Sequence, residues 1–120
     1  MGVRIRRLAV AALALLLLWL VLRPSPVWGL ETGEAPRGER LFANHCSGCH
    51  LHGGNVVRRS RTLRMAALRR NGIDGPAAIA RIAAGGIGRM GGYDDVLGEG
   101  GAQAVGEWVW QQAQAGWPRP

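Results

Sequence analysis

Both cysteines of the chain fall within five consecutive residues, Cys46-Ser47-Gly48-Cys49-His50. The spacing C-x-x-C-H is the attachment signature for c-type haem. The chemistry dictates it: two thiols that add across the two vinyl groups of one macrocycle must stand a short, fixed distance apart. His50, the next residue, is then placed to offer an imidazole nitrogen to the iron. Any fold available to this chain must wrap a flat, largely apolar group bonded to it at one point.

Two other chemistries use the same residue types and fit less well. A thioredoxin-like redox pair sits after a strand in a βαβ unit, and no such unit is visible. A zinc site needs four ligands, typically from two separated pairs. Here His45, His50 and His52 crowd around the single cysteine pair.

The first residues read as a targeting segment and not as part of the fold. Arg4, Arg6 and Arg7 precede an unbroken apolar run of 15 residues, Leu8 to Leu22, then Arg23-Pro24-Ser25-Pro26 and Val27-Trp28-Gly29. A basic region, an apolar region and a small residue at a cleavage point describe a secretory signal peptide over 1–29, leaving a domain over 30–120. The run is shorter than the roughly 20 apolar residues of a spanning helix. An uncleaved N-terminal anchor is the rival reading. Either way the domain is expected to be exported, which suits a haem joined to cysteine after translocation.

The charge changes meaning once this segment is set aside. All 15 basic residues are arginine; four lie before residue 30 and eleven after it, against eight carboxylates, so the domain is near +3 and not +7. The high overall pI is therefore no sign of nucleic-acid binding. One basic stretch remains, Arg58, Arg59, Arg61, Arg64, Arg69 and Arg70, with no acid among them. It reads either as a docking patch for an acidic partner, with Arg58, Arg59 and Arg61 nearest the motif, or as a solvated helix face. The remaining 90 or so residues make a small core, so a covalently held macrocycle is expected to supply part of its apolar mass.

The pattern along the domain predicts an all-α fold, with no alternating run of strand length. A short helix over 38–45 feeds into the motif. Gly53-Gly54-Asn55 turns the chain. A helix over 62–70 carries Leu63, Ala66, Ala67 and Leu68 inward and ends at Asn71-Gly72. Asp74 can cap a helix over 77–84, with Pro76 in its first turn. Residues 85–101 read as a glycine-rich loop holding Met90 and Tyr93. A last helix over 102–115 repeats Val105, Trp108, Val109 and Gln112 at helical spacing.

The iron needs a second axial ligand. A methionine thioether raises the potential relative to a second histidine. Met65 lies 15 residues after His50 in the predicted second helix; Met90 lies 40 residues after it in a loop whose glycines permit close backbone approach. Met90 is the better candidate. His45 and His52 sit too close in sequence to His50 to reach the opposite face easily.

From Gly38 to Trp117 the chain resembles a class I cytochrome c, and more closely the cytochrome c6 group of cyanobacteria and algae. The matching features are C-x-x-C-H, Gly53-Gly54-Asn55, Thr62-Leu63, Asn71-Gly72, the Met90 loop and the closing Gly116-Trp117, in that order. The resemblance implies a class I cytochrome c fold, one haem c bound covalently by Cys46 and Cys49, and an iron ligated by His50 and Met90. It implies that Gly38 and Phe42 pack against Trp108, and it places Ile82, Tyr93 and Asn55 in the haem environment.

It further implies a monomeric one-electron carrier and not an enzyme, acting in the thylakoid lumen or periplasm in photosynthetic or respiratory electron transport. Its partners would be redox proteins such as cytochrome f, photosystem I or a terminal oxidase, with the membrane met only during export. The chain departs from the family where Pro-Ala-Phe-Gly-Gly-Arg usually follows the methionine; here Gly91-Gly92-Tyr93-Asp94-Asp95-Val96 follows Met90. Without that proline a looser Met90 is expected. Ile82 stands where family members carry a glutamine, as in divergent c6-like subgroups associated with lower potential. A haem sensor or peroxidase-like protein with a labile Met90, and a membrane-tethered cytochrome or oxidase subunit, are the alternative readings.

Overall fold

The computed structural model describes residues 2–22 and 36–119. The chain separates into two compact units, Met1–Gly33 and Glu34–Pro120. The first contains helix α1 (Gly2–Val21), which buries none of its residues. Among the described residues no helix is long and apolar enough to cross a membrane. The expected cleavage point at Val27-Trp28-Gly29, the boundary after residue 29 and the lead-in to residue 35 lie outside the described residues.

The second unit carries α2 (Arg37–His45), α3 (Ser47–His50), a 3-10 turn (Leu51–Gly53), α4 (Met65–Arg70), α5 (Pro76–Gly85), α6 (Asp94–Leu97) and α7 (Gly101–Ala115). It is all-α, as expected; among the described residues the sole β-type pairing is between Ile87 and Met90. Helix α7 is the spine, packed against both α5 and α2. Its buried residues Ala102, Val105, Gly106, Val109 and Ala113 recur every three or four positions and form one face.

Both crossings are made at backbone distance. A methyl group on Gly106 would lie 2.5 Å from the Pro76 carbonyl oxygen, and one on Gly38 would lie 2.7 Å from Trp108 Cβ. Small residues thus let the α5 and α2 backbones settle into grooves of α7. Above the α2 crossing the Phe42 ring sits 4.8 Å from Trp108 and 5.5 Å from Trp117, so the expected pairing of Gly38 and Phe42 with Trp108 is present. Trp117 reaches this cluster because Gly116, at φ 79°, ends α7 in the left-handed conformation. The Trp117 N–H then donates back to the Gln112 carbonyl at 2.9 Å, closing a Schellman-type cap.

Several local expectations are corrected. The helix expected from Thr62 starts at Met65. Leu63 is held out of it: its N–H donates to the Gly53 carbonyl at 2.8 Å, and its carbonyl accepts the Trp117 ring N–H at 3.1 Å. These contacts hold Leu63 in the segment before the helix, and the main chain is still extended at Arg64 (φ −75°, ψ 145°), so helical geometry begins only at Met65. Ala66 is exposed, because a six-residue helix presents one narrow buried edge, Ala67 and Leu68. Asp74 does not cap α5; Gly75 precedes it without a side-chain cap. The stretch 85–101 is not all loop: α6 lies within it and buries Leu97, a helix too short to leave a periodic signal.

Candidate cofactor site

The motif residues are wound into one turn by their own main chain. The Cys46 N–H continues α2 by donating to the Phe42 carbonyl at 2.8 Å; the Cys49 and His50 N–H groups both donate to the Cys46 carbonyl, at 3.2 and 3.0 Å. Cys46 is half-buried and Cys49 exposed, and His50 is buried, with 8% of its surface accessible. Burial pushes the Cys46 thiol above its ordinary value, and the Cys49 sulfur beside it pushes the same way.

The His50 ring is oriented by one bond. Its Nδ1 lies 2.9 Å from the Gly54 carbonyl oxygen. A carbonyl can only accept, so Nδ1 carries the proton and Nε2 keeps a free lone pair for a metal. The acceptor is itself set by a turn, in which the Gly54 N–H donates to the Leu51 carbonyl at 2.9 Å. This is the outer-sphere support that a metal-binding imidazole requires.

A cavity of about 400 Å³ opens beside this turn, and Cys46, Cys49, His50 and Met90 all line it. Its volume falls in the range of cofactor pockets, roughly 300–1,000 Å³. Leu68 and Ile73 at α4, Ile79, Ile82 and Ala83 from α5, and Val105 and Val109 from α7 supply an apolar wall. Two cysteines not joined in a disulfide, an imidazole with a free nitrogen and a thioether on one apolar cavity are the donor set a covalent haem requires. Among the described residues no group of three His, Cys, Asp or Glu side chains converges as a bare ion would need.

Of the two internal methionines only Met90 lines the cavity; Met65 packs against the hydrophobic core. His45 reaches the cavity wall, whereas His52 is exposed and sits at φ 48°. Ile82, Tyr93 and Asn55 all line the cavity, as do Arg58 and Arg61; Arg59 does not. Asn55 shapes the arginine loop. Its Oδ1 accepts the N–H groups of Val57 and Arg58 at 3.0 and 2.7 Å, and its Nδ2 donates to the Arg61 carbonyl at 2.9 Å.

Arg89 and Asn71 are among the lining residues that carried no expectation of a site role. Arg89 lines the cavity next to Met90, and its place directly before the methionine was the available signal. Asn71 read only as a helix stop, yet it lines the cavity and its Nδ2 lies within hydrogen-bonding reach of the carbonyls of Ser60, at 3.2 Å, and Ala67, at 2.8 Å. Among the described residues no carboxylate lines the cavity, while Arg58, Arg61 and Arg89 do.

Residues 33–109 match the family model described as cytochrome c oxidase, cbb3-type, subunit III. A cytochrome c6-like protein of Nostoc sp. is 40% identical over 80 residues, 67% of this chain and 72% of its own. Among solved structures, cytochrome c6B from Synechococcus sp. WH8102 is 51% identical, with a TM-score of 0.68 over 70% of this chain and 96% of that one. Cytochrome c6C from Synechococcus sp. PCC 7002 is 43% identical, with a TM-score of 0.63 over 66% and 96%.

Proposed function

The chain belongs to the cytochrome c6-like family of c-type cytochromes, and from that premise we propose a one-electron carrier whose iron is held between His50 and Met90. Cys46 and Cys49 would hold haem c covalently, and when bound it supplies a reversible one-electron couple. The observation that carries this reading is that both cysteines, His50 and Met90 line a single apolar cavity. With His50 and Met90 both on the iron no position would be left for a substrate, which supports the reading as a carrier and not an enzyme.

The chain's residues do the rest. The Gly54 carbonyl keeps the His50 ring turned and its proton on Nδ1. The aliphatic side chains of α5 and α7 line the space that a bound haem would fill. Ile82 puts a hydrocarbon in that wall, where the family's glutamine would place a dipole, and this supports a potential below that of glutamine-bearing relatives.

Arg58, Arg61 and Arg89 line the cavity and are exposed, as are the apolar Val57 and Ile87. A cationic rim around exposed apolar side chains fits the acidic face of a redox partner, and the charge mainly speeds encounter. Arg59, exposed nearby, adds to the long-range field. Cytochrome f, photosystem I and a terminal oxidase are the partners to try. The protein would work in the thylakoid lumen or periplasm as residues 30–120, after removal of 1–29.

The test is spectroscopic. Protein matured in a haem-loading host should carry one haem by mass, show a sharp α-band when reduced and show a weak near-infrared methionine–iron band when oxidised. Met90→Ala should abolish that near-infrared band and Met65→Ala should keep it; the reverse pattern would reject the assignment.

A further inference from the structure

The residue after Met90 is not proline, and a loop flanked by Gly88, Gly91 and Gly92 promises little stiffness. The main chain nevertheless closes on itself there. The Gly86 N–H donates to the Ile82 carbonyl at 2.7 Å and the Tyr93 N–H to the Ala83 carbonyl at 2.9 Å, tying both ends of the loop to the last turn of α5. Between them Ile87 and Met90 exchange two bonds: Ile87 N–H to the Met90 carbonyl at 2.9 Å, and Met90 N–H to the Ile87 carbonyl at 3.0 Å. Gly88 and Arg89 join this pair as a two-residue turn. Gly88 takes the positive φ, 57°, and Arg89 does not, the pattern of a hairpin turn with glycine at its first central position.

Below the turn the two flanks touch backbone to backbone. A Cβ on Gly86 would lie 2.5 Å from the Met90 carbonyl oxygen and 2.8 Å from Gly92 N. A Cβ on Gly92 would run into the Ala84 carbonyl oxygen and lie 3.0 Å from the Gly85 carbonyl carbon. Gly91, one residue nearer the methionine, has nothing within 4 Å. Gly86 also sits at φ 78°, ψ 173°, a region that only glycine occupies readily.

We propose that Gly86 and Gly92 form a main-chain clamp that positions Met90 and takes over the stiffening role of the missing proline. The inference rests on the reading of Met90 as an axial ligand. A methionine side chain has three rotatable bonds and little shape of its own, so restraint must come from the loop. Moving the Met90 main chain away from the cavity requires breaking the paired bonds with Ile87 and parting the glycine contacts. Gly86 and Gly92 are positioning residues; neither is proposed to touch the iron.

The experiment uses the haem-loaded full chain and compares Gly92→Ala, Ile87→Pro and, as a control away from the cavity where a methyl meets nothing within 4 Å, Gly85→Ala with the unsubstituted protein. Ile87→Pro removes the N–H given to Met90 without adding a methyl at the glycine contact. Three quantities are read: the near-infrared band of the oxidised form, the rate of carbon monoxide binding to the reduced form, and the far-ultraviolet circular dichroism.

With helix content unchanged, Gly92→Ala and Ile87→Pro should weaken the band and speed carbon monoxide binding about tenfold each, the scale of one lost hydrogen bond. Gly85→Ala should match the unsubstituted protein. An unsubstituted protein that shows the band, together with Gly92→Ala and Ile87→Pro variants that keep it at full strength, overturns the clamp while leaving the ligand reading intact. So does a Gly85→Ala effect as large as that of Gly92→Ala. An unsubstituted protein without the band overturns the ligand reading and the clamp together.

Discussion

The turn that carries Cys46, Cys49 and His50 and the loop that carries Met90 line the same cavity, yet they are supported by different means. The turn continues α2, whose crossing with α7 is sealed by Phe42, Trp108 and Trp117. Its neighbour Gly53 accepts the Leu63 N–H, and Leu63 is held in turn by the Trp117 ring. The methionine loop hangs from the end of α5, and its shape is set by main-chain bonds and glycine contacts. Damage to the first should therefore be felt as loss of the fold and of the cofactor. Damage to the second should be felt as loss of one ligand, with the helices intact.

The largest effect that tests this contrast is His50→Ala, which removes a buried ring and its bond to Gly54. Haem-loaded protein should be recovered at a small fraction of the normal yield and without a low-spin spectrum. A normal yield of low-spin protein would break the comparison. Phe42→Ala follows. It empties the centre of the ring cluster and should cost about 3 to 5 kcal/mol in urea unfolding, while the near-infrared band of whatever folds is kept.

Met90→Ala should move the other way, changing the band entirely and the urea midpoint much less than Phe42→Ala. Equal losses of stability would show that the methionine side is part of the core after all. Trp117→Phe keeps most of the ring packing but deletes the N–H given to Leu63, a loss of about 1 kcal/mol. Ile82→Gln should leave stability nearly unchanged and raise the midpoint potential in a redox titration; an unchanged or lower potential would remove the role given to that position.

Much of the cysteine–histidine side was legible because its chemistry is local. Five consecutive residues name the cofactor class, and covalent geometry forbids most other spacings. Helix α7 was legible for a related reason, since one face buried along fifteen residues leaves a repeat that can be read. Met90 was singled out by distance along the chain and by its loop, but the main-chain bonds and glycine contacts around it left no sign in the sequence. Proline is a stiffener visible in one letter, whereas a clamp between Gly86 and Gly92 exists only when α5 and the loop meet. Leu63 was placed in a helix for the same reason: its two main-chain partners, Gly53 and the Trp117 ring, lie far away in sequence.

What the sequence determined alone was the all-α class and, through the C-x-x-C-H run, the class of cofactor, because these depend on residue type and short spacing. What tertiary structure decided was which methionine faces the cavity, which arginines reach its rim and how the Met90 loop is held. Those depend on non-local packing: Met65 and Met90 have the same side chain, and only the folded chain packs one against the core and sets the other on the cavity wall.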